Sequence, residues 1–109
     1  MDFSVYQSAS SVTARYPKGR EGLYYLALGL TSEAGEVAGK VKKAIRDDDG
    51  FLSDERVRQI CSEIGDVLWY CAQLADFLGV DLNDVARGNV SKLQNRLVAG
   101  TISGDGDNR

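Results

Sequence analysis

The stretch Leu23-Tyr-Tyr-Leu26-Ala-Leu-Gly-Leu30-Thr-Ser-Glu33-Ala-Gly-Glu36-Val37-Ala-Gly-Lys40-Val41 decides the fold class. Leu23, Leu26, Ala27, Leu30, Ala34, Val37, Ala38 and Val41 recur every three to four positions, and Ile45 continues the series. That rhythm marks an amphipathic helix, and it predicts one from about Glu21 to Arg46. It returns in Val57, Ile60, Cys61, Ile64, Val67, Leu68, Cys71, Leu74, Ala75 and Leu78. Ser53 with Asp54 and Glu55 supplies the start of that second long helix, and Gly79 its stop.

Between them, Asp47-Asp48-Asp49-Gly50 reads as a solvated turn. An EF-hand loop is excluded, because its twelfth position would be Arg56 rather than glutamate. A shorter helix is expected before the long pair, capped by Asp2 and carrying Phe3, Tyr6, Ala9 and Val12. The turn Pro17-Lys18-Gly19 closes that segment. Asp81 caps a fourth helix to about Val98, with Val85, Ala86, Val90, Leu93 and Leu97 expected inward. No segment alternates with the period of a strand. The expected fold is all-α, a bundle of four helices with two long antiparallel central ones. Residues 1–99 are expected to form one domain, followed by a glycine-rich tail over 100–109 that reads as flexible when taken alone. Gly29, Gly35 and Gly39 each cost a helix up to about 1 kcal/mol relative to alanine, so close backbone packing or room for a ligand is expected there.

Thirteen basic and sixteen acidic residues leave a net charge of −3, and there is no histidine. Nothing in that balance points to a nucleic-acid polymer or a membrane surface as partner. The apolar runs fall short of the roughly 20 residues of a membrane span, and the N-terminus lacks the pattern of a signal peptide. Cys61 and Cys71 lie roughly 15 Å apart along one helix, too far for a disulfide. They are expected to be buried, reduced thiols, which places the protein in the cytoplasm.

The chemistry is carried by two carboxylate pairs, Glu33-x-x-Glu36 and Glu63-x-x-Asp66. Residues three apart share a helix face. Each pair adjoins an apolar stripe, so antiparallel packing of the two helices brings the four acids together. Unneutralised, they would repel, and a hard cation such as Mg²⁺ resolves the conflict. Such a cation polarises a phosphoryl oxygen and orients an attacking water. A di-iron bundle is disfavoured, since its Glu-x-x-His units need histidines. Taken singly, an E-x-x-E pair is a common solvated face, and Lys40 is an ordinary i+4 partner for Glu36. Asn89, Lys92 and Arg96 form a basic and amide stripe on the fourth helix, suited to gripping phosphates or simply to facing water. Trp69 and Tyr70 follow Asp66, either packing in the core or stacking on a base or ribose.

These residues together resemble a known family. Leu28-Gly-Leu-Thr-Ser-Glu33-Ala-Gly-Glu36-Val37, Glu63-Ile-Gly-Asp66-Val-Leu-Trp69-Tyr70 and Asn89-x-x-Lys92-x-x-x-Arg96 are similar to the three motif elements of the MazG-like all-α nucleoside triphosphate pyrophosphohydrolases. The similarity spans about residues 3 to 98, in the short form with a single copy of the motif set. It implies cleavage of an NTP or dNTP to the monophosphate and pyrophosphate, in the service of nucleotide-pool control. It implies Glu33, Glu36, Glu63 and Asp66 as ligands of Mg²⁺, with Mn²⁺ as a substitute, one of them handling the attacking water. It places Lys92 and Arg96 on phosphates with Asn89 beside them; Tyr70 and Lys40 complete the candidate substrate contacts. It further implies a homodimer or homotetramer with sites completed across subunits. A guanine nucleotide is one candidate substrate. The alternatives are a dUTP- or dCTP-type pyrophosphatase, and a helical module that binds nucleotide without turnover.

Overall fold

The computed structural model describes residues Met1–Arg109 and contains four α-helices and no strand. They are α1 (Phe3–Ser10), continued by a 3-10 turn over Ser11–Thr13, α2 (Arg20–Asp47), α3 (Asp54–Phe77) and α4 (Leu82–Ala99). The expected caps form: Asp2 accepts from the Val5 N–H, Ser53 from Arg56 and Asp81 from Asn83. Each occupies one of the amide donors that a helix start leaves unpaired. Gly79 takes a left-handed φ of 71° after α3, where a side chain would be strained.

Helices α2 and α3 form the largest interface, and residue pairing fixes their direction. Gly22 lies against Phe77, Gly29 against Tyr70, Glu33 near Glu63 and Asp66, and Lys40 beside Glu63. The numbers rise on one helix as they fall on the other, so the pair is antiparallel. At the closed end, Arg56 Nε and Nη2 donate to Asp48 Oδ2 at 3.1 and 3.0 Å, pinning the loop that joins them. Two positions in α2 require glycine for contact. A Cβ on Gly22 would sit 2.3 Å from the Pro17 carbonyl oxygen, and one on Gly29 would sit 2.1 Å from the Tyr70 ring. Gly35 and Gly39 face open space, so the close packing expected of the three glycines holds only at Gly29.

Helix α1 crosses the open end of the hairpin through polar contacts. The buried Gln7 amide donates to Asp76 Oδ1 at 2.8 Å and to the Val80 carbonyl at 2.9 Å, and its oxygen accepts from the Leu82 N–H at 2.8 Å. One side chain thus ties α1 to the junction of α3 and α4. Ala72, Ala75 and Leu82 form the small core beneath it, with Tyr6 packed against them.

Helix α4 departs from expectation. It meets α1 and the end of α3 but hardly touches α2. Val85, Val90, Leu93 and Leu97 therefore face outward rather than inward, Leu97 being 70% exposed, and only Ala86 is half-buried. Helical periodicity names the apolar side but not what covers it. The radius of gyration is 16.7 Å, against about 13 Å for a compact chain of this length. Cys61 is exposed and Cys71 half-buried, which corrects the expectation of two buried thiols; both are unpaired. No helix is long and apolar enough to cross a membrane.

Candidate active site

The seam between α2 and α3 contains charged residues. Along α2 the buried and half-buried residues include Leu26, Leu30, Glu33, Val37, Lys40 and Ala44, which follow a 4-3-4-3-4 spacing. Along α3 the facing series includes Glu63, Val67, Tyr70 and Leu74. Glu33 and Glu63 thus occupy seam positions that helix packing would normally fill with apolar side chains. Asp66, one turn after Glu63, is exposed at the flank.

Carboxylate oxygens of Glu33, Glu63 and Asp66 lie within 4.8 Å of one another. Burial pushes the Glu33 pKa up, and the charges of Asp66, Glu63 and Glu36 push it further. The Lys40 ammonium, 3.9 Å from Glu63 Oε1, supplies one counter-charge. Glu36 is exposed on the flank of α2 and lies outside the set of three, near enough to raise Glu33. The full convergence of four acids is therefore not what a single chain shows. Three residues apart on a helix is one turn along the axis but about 60° around it, enough to move Glu36 out of the seam.

Beside the acids is a cavity of about 370 Å³ lined by Thr13, Glu33, Asp66, Trp69 and Tyr70. Its size falls in the range of small-molecule sites. Trp69 Nε1 donates to the Ser10 carbonyl at 3.2 Å and to Thr13 Oγ1 at 2.9 Å, which fixes its ring against the 3-10 turn. Tyr70 meets Trp69 edge to face at 5.0 Å and lies in the socket left by Gly29. Burial, with Tyr25, Glu33 and Asp66 nearby, raises its hydroxyl pKa. Both aromatic rings thus line the acid cavity, and neither is fully buried. Tyr25, Gly29 and Glu33 recur at i, i+4 and i+8, so the helix face that carries Glu33 also carries Tyr25, a neighbour of Tyr70, and the Gly29 socket into which Tyr70 fits.

All candidate ligands are carboxylate oxygens, the donor type that hard divalent cations prefer, and their mutual repulsion is what such a cation would relieve. The residues present therefore fit a divalent metal. Lys92 and Arg96 do not line the acid cavity; they line another, of about 520 Å³, between α4 and the chain's last residues. Asn89 is exposed on α4 and borders neither.

Residues 23–98 match the MazG nucleotide pyrophosphohydrolase domain. The chain belongs to the MazG nucleotide pyrophosphohydrolase family. The matched span runs from the early turns of α2 to the last turn of α4, and so contains the acid cluster and the α4 stripe. The MazG-type chain is also 48% identical over 114 residues to the Gene 37 protein of Mycobacterium phage L5, with 100% of each covered. No solved structure matches it.

Proposed function

We propose that this MazG-family chain hydrolyses the anhydride bond between the α and β phosphates of a (d)NTP, releasing (d)NMP and pyrophosphate. The observation that carries the reading is the convergence of Glu33, Glu63 and Asp66 across the α2–α3 seam, within 4.8 Å. These three, with Glu36 one turn along α2, would hold Mg²⁺ or Mn²⁺. When bound, the ion polarises the phosphoryl oxygens and acidifies the attacking water. The protein's own part is positional. The Gly29 socket and the Ser10–Thr13 turn hold Tyr70 and Trp69 as walls of the cavity, which supports a role for them in stacking on base or ribose. Lys40 holds Glu63 in the seam. Lys92, Arg96 and Asn89 are the proposed phosphate contacts. Within one chain Lys92 and Arg96 border a different cavity, so they would reach the acids from a second copy.

A homodimer or homotetramer would meet that requirement, and the exposed Val85, Val90, Leu93 and Leu97 support it as apolar surface that a second copy would cover. Light scattering on the purified protein checks assembly; a monomer at micromolar concentration would refute it. The activity is tested with Mg²⁺ and a panel of (d)NTPs that includes guanine nucleotides, dUTP and dCTP, which also reads out base choice. The expected product is pyrophosphate rather than orthophosphate. Glu63→Gln and Asp66→Asn should each lower turnover by at least about 100-fold while leaving the helical circular dichroism intact. Turnover retained by both variants sinks the site assignment. Nucleotide-dependent stabilisation without turnover would instead favour a binding module.

A further inference from the structure

The ten residues after α4 turn back on it. Gly100 takes a left-handed φ of 72°, and the Thr101 N–H donates to the Arg96 carbonyl at 2.8 Å. Positive φ values at Gly104 and Gly106, 136° and 81°, then bring Asp107 alongside the helix. There the Lys92 ammonium lies 3.2 Å from Asp107 Oδ1. Arg96 Nη2 donates to the same oxygen at 3.2 Å, to the Asp107 carbonyl at 2.9 Å and to the Gly106 carbonyl at 3.5 Å. The Arg96 side chain is only 7% exposed, while the Asp107 side chain that closes over it is 82% exposed. The hydrogen bonds from Lys92 and Arg96 hold the Asp107 carboxyl below the usual carboxylate range.

Two features show that this closure is incomplete. Arg96 Nε and Thr101 Oγ1 are buried without a hydrogen-bond partner. A guanidinium paired through one edge nitrogen keeps a donor for an anion with more oxygens than a carboxylate. The Asp107 carboxylate itself faces water, where solvent and salt compete for it. The cations of the α4 stripe are therefore occupied by an internal anion that is weakly held.

We propose that residues 100–109 form an autoinhibitory strap, with the Asp107 carboxylate in an anion seat built from Lys92 and Arg96, from which a polyphosphate chain displaces it. That the seat receives the triphosphate of a substrate rests on the proposed function; competition between strap and polyphosphate does not. The docked strap reduces the apparent affinity for polyphosphate by the fraction of molecules in which the seat is open. A strap docked about 80–90% of the time weakens binding about five- to tenfold.

The test is calorimetric titration of the full-length protein with inorganic tripolyphosphate in metal-free buffer, beside Asp107→Asn and a deletion of residues 101–109. The deletion should bind about fivefold tighter or better. Asp107→Asn should bind tighter by a smaller factor, because its backbone carbonyl still accepts from Arg96. Adding Lys92→Ala to the deletion should abolish the gain. Unchanged affinity in both variants overturns the strap, as does weaker binding in both, which would make the tail part of the seat. Tighter binding in a protein that turns over no nucleotide would leave the strap standing and refute the proposed function. Normal turnover with unchanged affinity would do the reverse.

Discussion

Replacing Glu33 by glutamine removes one charge from three carboxylates whose oxygens lie within 4.8 Å of one another, and should stabilise the metal-free protein. At that separation each like-charge pair repels by about 0.9 kcal/mol in a water-like dielectric and by about 3.5 kcal/mol at an effective constant of 20. Glu33 and Glu63 are half-buried and Asp66 is exposed, so solvent screening puts the sum over two pairs near the lower limit, about 1–2 kcal/mol. For a chain of this size that is a rise in Tm of about 4–8 °C, read by thermal circular dichroism in EDTA at neutral pH.

The pH dependence has a definite sign. The folded-state pKa of Glu33 is raised, so the native protein binds its proton more tightly than the unfolded chain does. Its contribution to stability is lost as pH rises from the ordinary glutamate range through the raised pKa. The difference in Tm between Glu33→Gln and wild type should therefore be small near pH 4 and largest at neutral pH. Mg²⁺ should raise the wild-type Tm, as any ligand of the native state does, and should raise that of Glu33→Gln much less. A variant that melts at or below wild type in EDTA, or gains as much from Mg²⁺, refutes the reasoning.

Gly29→Ala drives a Cβ to within 2.1 Å of the Tyr70 ring; it should cost about 1–3 kcal/mol in melting experiments and raise KM for nucleotide. Gly35→Ala, with no atom within 4 Å of its Cβ, should instead stabilise by up to about 1 kcal/mol, so equal losses in the two variants would contradict the socket. Gln7→Ala leaves the Leu82 N–H without its acceptor and Asp76 Oδ1 without its Gln7 donor, an expected loss of about 1–3 kcal/mol by urea unfolding. An unchanged midpoint would show that α1 is held by other contacts.

The helices and their ends were legible because the information is local. Asp2, Ser53 and Asp81 cap through their own side chains, and Gly79 stops α3 through its own backbone. The acid pairs were legible for the same reason, as i, i+3 spacing puts two side chains on one side of a helix. The seam was half legible. Its 4-3-4-3-4 spacing through Glu33 and Lys40 can be read along the chain, but assigning a charged residue to a buried seam contradicts the apolar rule that finds seams. Glu36 shows the limit. It obeys the same spacing as Asp66, yet rotation of α2 in the seam leaves it outside the set of three.

Sequence by itself determined what each turn of backbone decides for itself: four helices, the side-chain caps of three of them, the acids on two and the cations on another. Tertiary structure decided everything that depends on two distant segments meeting. It put Tyr70 into the Gly29 socket, tied α1 to the α3–α4 junction through Gln7, and turned the apolar side of α4 outward. It also laid Asp107 on Lys92 and Arg96, where composition alone suggested a loose tail. Hydrogen bonds within a helix link residues four apart, so their pattern is written in neighbours. Packing and ion pairing between segments depend on rotation and register, which no single stretch of the chain encodes.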